Sequence, residues 1–390
     1  MPYSVYLKKN EEKRILDGHP WVYANEVAKI EGKDKNGSLA TVFDYSGKYL
    51  GKGYINHLSK ILVRIFIKDD SAPDLDFYKN AIQKAYDYRK KLGYDNSFRL
   101  VYAESDNLPG LIVDKYGDVF CTQFLTLGVE QNKELIINAL AELFNPKGIY
   151  ERSDSPVREK EGLPLVKGKL YGDFEPVVYI EENGLKLRVD LENGQKTGYF
   201  LDQKENRFAL RRYAKDGDVL DCFCNSGGFS LNAAVGGAKS VVAVDISEKA
   251  LEDVNLNARL NGLVDIITTV KGDVFEILRA FRKENRLFDT IVLDPPAFCK
   301  SANEVKDALK GYKDINILAM KLVKKGGFLI SSSCSHFITF PLFENMLRTA
   351  ARESGRRVSV AEIKTQSADH PSLFAEEQSL YLKFFVLRID

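Results

Sequence analysis

The sequence predicts an α/β chain whose C-terminal half is a Rossmann-like parallel sheet, preceded by two smaller β-containing units. Three observations carry that expectation. From about Asp190 onward, the apolar runs DVLDCF, SVVAVD, DIITTV, FDTIVLD and GGFLISSSC alternate with helical patterns, the grammar of strands buried on both faces beneath covering helices. Residues 1 to about 70 instead hold brief β-rich runs separated by Ser-Gly and Gly-x-Gly punctuation, which reads as a small barrel. Between the two, PVVYIEENGLKLRVDL puts Asn183-Gly184 at the turn of a hairpin.

The elements follow in order. SLATVFDYSGKYLGKGYIN and KILVRIFI supply barrel strands, and DDSAPDLD ends them. Asp74 or Asp76 then caps a helix through about Leu92, with Ala81, Ile82, Ala85 and Tyr86 on one face. GLIVDKYGDVFCTQFL gives two strands around Tyr-Gly-Asp, and KELIINALAELF an amphipathic helix. The domains expected are 1–72, 73–189 and 190–390, which suits a chain of 390 residues with 44% hydrophobic side chains.

Composition narrows the function. The five cysteines, Cys121, Cys222, Cys224, Cys299 and Cys334, are odd in number, dispersed and without a CxxC pair. They are expected as free thiols in a reducing compartment, with no metal. Charge interrupts MPYSVYLKKNEEKRILDGHPW where a secretory signal needs an apolar core, and no apolar stretch reaches about 18 residues. A cytoplasmic location without membrane partners is therefore expected. A formal charge of +1 shows no global affinity for polyanions, but residues 1–68 hold 12 Lys and Arg against 7 Asp and Glu, a local basic excess.

Chemistry concentrates in the C-terminal half. VLDCF runs into CNSGGFSL, so Gly227 and Gly228 fall at a strand-to-helix turn where backbone can approach a ligand, or where two helices merely pack. Asn225 and Ser226 break the G-x-G-x-x-G phosphate cradle of a nicotinamide site. SVVAVD ends at Asp245, about 20 residues on, where a carboxylate can accept both ribose hydroxyls of an adenosine, and Ser247 caps the next helix. Asp273 can accept from an adenine amino group, or only cap VFEILRAFR. An adenosine site without a pyrophosphate cradle favours S-adenosylmethionine over NAD, and Asp221 suits its ammonium. DCFCNSGGFS, VVAVDIS, KGDVFE and LDPPAF resemble, in order, motifs I to IV of class I methyltransferases.

Asp294 opens the fourth motif, where amino methyltransferases commonly carry Asn; a protonated Asp suits a reaction at ring carbon. Cys334, in SSSCSHF, follows the fifth strand and should project from the same edge. A strand-end cysteine is often inert packing. Beside a methyl donor, however, a thiolate that adds to carbon-6 of a pyrimidine makes carbon-5 nucleophilic. Cys299 can assist or be an ordinary loop thiol, and His336 can tune Cys334 or face solvent.

EKRILDGHPWVYANEV, GYINHLSKILVRIF, GQKTGYFLDQKENR, GYKDIN and QSADHPSLF complete a resemblance, over nearly the whole chain, to the bacterial ribosomal RNA cytosine-5 methyltransferase family that joins a PUA domain, a linking α+β domain and a class I methyltransferase domain. The resemblance implies cofactor contacts at Lys196, Phe200, Asp221, Phe223, Asn225, Gly227, Asp245, Ile246, Asp273 and Asp294. It implies Cys334 and Asp294 as catalytic residues, and 5-methylcytosine in 23S ribosomal RNA as the product. GQKTGYFLDQ could also be only a tight loop. In the PUA-like module, Lys8, Lys9, Lys13, Arg14 and Arg64 are candidates for phosphate contacts, and Trp21 and Tyr23 for base stacking, against a solvated basic face around a core Trp. RNA is the expected partner, a membrane is not, and a homodimer is left open. Two alternatives stand: an RNA methyltransferase acting on an exocyclic amino group, and a non-catalytic RNA-binding assembly factor.

Overall fold

Alternation of apolar and polar side chains shapes the N-terminal strands of the computed structural model, which describes residues 1–299, 301–376 and 379–390. β1 (Tyr3–Leu7) turns Tyr3, Val5 and Leu7 inward. After α1 (Lys13–Leu16) come β2 (Trp21–Tyr23), β3 (Val27–Glu31), β4 (Leu39–Phe43), β5 (Tyr49–Ile55) and β6 (Ile61–Ile67). They form one sheet, ordered β2-β6-β5-β4-β1-β3, around a core that includes Val5, Val42, Ile55 and Val63.

The same compact unit, made of Met1–Ile180, Val189–Leu201 and Ala368–Ser379, takes in the α+β region. α2 (Leu75–Lys91) begins at Asp74, whose carboxylate accepts from the backbone N–H of Phe77 at 2.8 Å. β7 (Ser97–Tyr102), β8 (Leu111–Tyr116), β9 (Val119–Phe124), α3 (Leu127–Gln131), α4 (Lys133–Phe144), β10 (Gly148–Ser153) and β11 (Val166–Tyr171) follow. The strands form a five-stranded sheet ordered β11-β10-β9-β8-β7. Ile82 of α2 and Ile136 and Leu140 of α4 share its core with Phe98 and Phe120. The returning segment is fixed by Asp369, whose carboxylate accepts from the Arg99 N–H and whose carbonyl accepts from the Arg89 guanidinium, both at 2.8 Å. β12 (Val177–Glu182) and β13 (Leu185–Asp190) are the expected hairpin, with Asn183 and Gly184 both at positive φ.

The second unit comprises Glu181–Arg188, Asp202–Ser367 and Leu380–Asp390. Its elements are α5 (Lys204–Ala214), β14 (Asp218–Cys222), α6 (Gly228–Val235), β15 (Ser240–Asp245), α7 (Glu248–Leu260), β16 (Ile267–Lys271), α8 (Val274–Lys283), β17 (Phe288–Leu293), α9 (Val305–Leu322), β18 (Val323–Ser333), α10 (Phe340–Ser354), β19 (Val358–Lys364) and β20 (Lys383–Ile389). The seven-stranded sheet runs β16-β15-β14-β17-β18-β20-β19. β14 to β18 are mutually parallel where they pair, and β20 lies antiparallel to both its neighbours. The parallel strands are apolar because helices cover them; α8, for example, buries Val274, Leu278 and Phe281 on one face. Strand order reverses at β14, which makes the carboxyl ends of β14 and β17 the switch point where such sheets bind ligands. No helix among the described residues is long and apolar enough to cross a membrane.

Candidate active site

β14 delivers Asp221 into a fully buried position. Its Oδ2 accepts from Ser230 Oγ at 2.6 Å, while Oδ1 is buried without a hydrogen-bond partner among the described residues. Burial pushes the carboxyl up to about 7, with the Asp294 and Asp245 charges adding to the rise and Ser230 opposing it. Beyond the strand, Phe223, Asn225 and Gly227 adopt φ of 64°, 48° and 84°, curling the backbone into a tight turn. A Cβ on Gly227 would stand 3.1 Å from Val254 Cγ2, so glycine answers both the conformation and the space. The turn is strapped to β15: Asp245 accepts from the N–H of Asn225 at 3.0 Å and from that of Ser247 at 2.9 Å. Ile246 beside it is 68% exposed, an apolar side chain left uncovered.

These features fit S-adenosylmethionine. The orphaned Oδ1 of Asp221 is an acceptor in need of a donor such as an ammonium, and an exposed Ile246 suits an adenine ring. Asp273 accepts from the N–H of Glu276 at 3.2 Å and so does cap α8, an arrangement that leaves its other oxygen for a ligand. Ser247 caps α7 through the N–H of Ala250 at 3.2 Å.

Asp294 extends β17 by one residue. Leu293 pairs with Ser331 of β18, which brings Ser332 alongside Asp294. Asp294 Oδ1 accepts from Ser332 Oγ and, at 2.9 Å, from Gln203 Nε2. Gln203 is held in turn by Asn206, whose amide donates to its Oε1 at 2.7 Å. Cys334 is half-buried just past β18, so the register places it two residues from the side chain that binds Asp294. Its loop is clamped on both sides: Ser333 Oγ donates to Tyr312 Oη at 3.0 Å, and Lys383 Nζ donates to the Ser335 carbonyl at 2.7 Å. The His336 ring lies 5.3 Å from that of Tyr381, and Cys299 is buried with its thiol toward the Ser301 carbonyl at 3.1 Å.

Eight of the ten expected cofactor residues thus belong to the second unit. Lys196 and Phe200 belong to the first, with Lys196 Nζ 4.5 Å from the Phe200 ring centroid. Thr197 between them is buried and donates to Asp114 Oδ2 at 2.6 Å. In the N-terminal sheet region, Lys9 and Lys13 are exposed, and Lys8 Nζ donates to the Asn25 carbonyl at 2.7 Å. Arg14 pairs with Glu26 at 3.0 Å and lies over Tyr23. Arg64 is taken up by Glu161 at 2.9 Å, and Trp21 Nε1 donates to Glu104 at 2.8 Å, so both polar groups are engaged within their own unit.

Sequence reasoning passed over Gln203, Ser332, Tyr312 and Lys383 as site residues. Gln203 and Tyr312 sit inside GQKTGYFLDQKENR and GYKDIN and could have been singled out there. Ser332 and Lys383 carry no such signal.

Residues 5–68 match the PUA-like domain family, and residues 168–372 match the S-adenosylmethionine-dependent methyltransferase family. Ribosomal RNA large subunit methyltransferase I of Klebsiella pneumoniae (strain 342) is 42% identical over 390 residues, covering 98% of this chain and 97% of the relative. A Streptococcus mutans structure described as a candidate SAM-dependent methyltransferase superposes with a TM-score of 0.84 at 22% identity, covering 100% of both chains. Another candidate methyltransferase, solved in complex with SAH, does so with a TM-score of 0.85 at 22% identity, again over 100% of both.

Proposed function

The chain belongs to the ribosomal RNA large subunit methyltransferase I family of S-adenosylmethionine-dependent methyltransferases, and from that premise we propose that it forms 5-methylcytosine in 23S ribosomal RNA through a covalent adduct of Cys334. The bound cofactor supplies an electrophilic methyl group. Asp221 would receive its ammonium, Asp245 its ribose hydroxyls, and Ile246 and Asp273 its adenine, with Phe223, Asn225 and Gly227 completing the contacts.

The cytosine is activated by this chain's own residues. The Cys334 thiolate adds to carbon-6, and the electrons of the 5,6 double bond shift so that carbon-5 becomes nucleophilic and takes the methyl group. Loss of the carbon-5 proton then restores the double bond and expels the thiolate. Asp294, held through Oδ1 by Ser332 and Gln203, is charged in the free protein and takes up a proton when the cytosine covers it, then donates a hydrogen bond to the ring, which accepts charge as the adduct forms. The observation that carries this reading is the placement of a half-buried cysteine, Cys334, at the strand end adjoining Asp294. An Asp rather than an Asn there also weighs against transfer to an exocyclic amino group.

RNA would be engaged by the PUA-like barrel, with Lys8, Lys9, Lys13 and Arg14 at phosphates and Tyr23 stacking; the enzyme would act in the cytoplasm. Because carbon-5 and carbon-6 must reach Cys334, the target cytosine is single-stranded or flipped from its stack. The test is a denaturant-stable adduct with RNA containing 5-fluorocytosine, whose fluorine cannot leave as a proton does. Wild type should form it and Cys334→Ala should not, with turnover nearly abolished. Turnover undiminished in Cys334→Ala would refute the adduct and favour amino-group transfer.

A further inference from the structure

Every buried arginine among the described residues meets a carboxylate: Arg89 meets Asp106, Arg99 meets Asp114, Arg152 meets Asp154, Arg158 meets Glu130, and Arg207 meets Glu182. That is how folded chains accommodate cations away from water. Lys383 departs from the rule. It is 1% exposed, and among the described residues its Nζ bonds only to carbonyl oxygens, those of Ser335 and Tyr381, each at 2.7 Å. An ammonium balanced only by peptide dipoles is costly to bury.

What Lys383 adjoins is Cys334. It pairs with Ser333 across β18 and β20 and binds the carbonyl of Ser335, so it grips the residues on either side of the cysteine. Burial brings Lys383 down to about 8, and among the described residues the charged form of Cys334 is the ionisable neighbour that opposes this and favours its ammonium. Other groups facing this space are Tyr312 from α9, whose phenol burial keeps neutral, His336 from the same loop, and Tyr381, whose hydroxyl donates to Asp202 at 2.6 Å.

We propose that Lys383 is the counter-cation of the Cys334 thiolate, a positioning residue that keeps the nucleophile ionised before a cytosine arrives. The thiol proton leaves to water, the sulfur keeps the electron pair it later donates to carbon-6, and nothing is oxidised or reduced. The proposal rests on Cys334 as the nucleophile, yet it makes a claim about the free enzyme that needs no RNA.

The test is the pH dependence of carboxamidomethylation of Cys334 by iodoacetamide in the full chain, followed by mass spectrometry of the Cys334 peptide. Wild type should label with a midpoint about one unit or more below the ordinary thiol value of about 8.5. Lys383→Met should move the midpoint up and slow labelling near pH 7 about tenfold, and Lys383→Arg should restore much of the difference. A wild-type midpoint at or above the ordinary value overturns the proposal, as does a Lys383→Met profile that superposes on wild type. If Lys383→Met fails to fold by circular dichroism, the wild-type midpoint alone decides. A low midpoint without a 5-fluorocytosine adduct refutes the cytosine reading and leaves the ion pair standing; an adduct with an ordinary midpoint refutes the ion pair alone.

Discussion

Asp221 would link the proposed cofactor contact to the stability of the fold. Burial carries its carboxyl from 3.8 to about 7, and each unit represents about 1.36 kcal/mol, so roughly 4 kcal/mol opposes its ionisation in the free protein. Between about pH 4 and 7 the folded state binds a proton that the unfolded state has released. Stability therefore falls as pH rises through that window and levels off above it. An ammonium placed against the orphaned Oδ1 favours the charged carboxylate instead. Cofactor binding should thus strengthen as pH rises toward 7, and at pH 6 it should be about tenfold weaker than on the plateau.

Asp221→Asn separates the two effects. The amide has no charge to desolvate, and its NH₂ costs about 1–3 kcal/mol if left unbonded, so near pH 8 the variant should be more stable by about 1–3 kcal/mol. That gain should vanish near pH 4. Losing a hydrogen bond between charged groups, worth about 1.5–3 kcal/mol, should weaken S-adenosylhomocysteine binding about 10- to 150-fold. Urea unfolding at both pH values and titration calorimetry with S-adenosylhomocysteine from about pH 5.5 to 8 measure these quantities. A flat affinity over that range, or a variant that is less stable at pH 8 yet binds normally, would refute the reasoning.

Three further outcomes are expected. Gly227→Ala places a side chain at φ 84°, 3.1 Å from Val254; it should cost about 1–2 kcal/mol in thermal unfolding and weaken cofactor binding in calorimetry. Arg207→Met leaves the buried Glu182, now bonded to the guanidinium at 2.6 and 2.7 Å, without its cation. Urea unfolding should show a loss of about 3–5 kcal/mol, much of it recovered when Glu182→Leu is added. Lys13→Ala should lower the salt dependence of RNA binding by about one unit of slope with stability unchanged, whereas Arg64→Ala should chiefly destabilise the first unit, because the buried Glu161 carboxylate keeps Ser59 and Asn56 but loses the guanidinium. Filter binding at several salt concentrations, paired with thermal unfolding, distinguishes the two.

The class of fold was legible because its signals are local. The alternation of VLDC, VVAV and IVL with helical stretches reads as covered parallel strands at any point along the chain, and Asn183-Gly184 and Asp74 mark a turn and a cap within a few residues of themselves. The order of four motifs likewise lies on the line of the sequence, so Asp221 and Asp245 near the ends of adjacent strands could be anticipated.

What the sequence by itself determined is therefore the grammar of three regions and the residue types at two strand ends. Only the tertiary structure decided how those residues are partnered. In the sequence, Asp221 is one carboxylate among many; full burial and an unbonded Oδ1 make it a proton-binding group near neutrality. Arg64 and Trp21 looked free for RNA until Glu161 and Glu104, distant in the chain, occupied their polar groups. Lys383 in YLKFFV reads as an ordinary strand residue. The antiparallel register sets it opposite Ser333, about 50 residues earlier, and buries its ammonium against the Ser335 carbonyl. Such partnerships arise from the pairing of segments far apart in the chain, and no local periodicity records them.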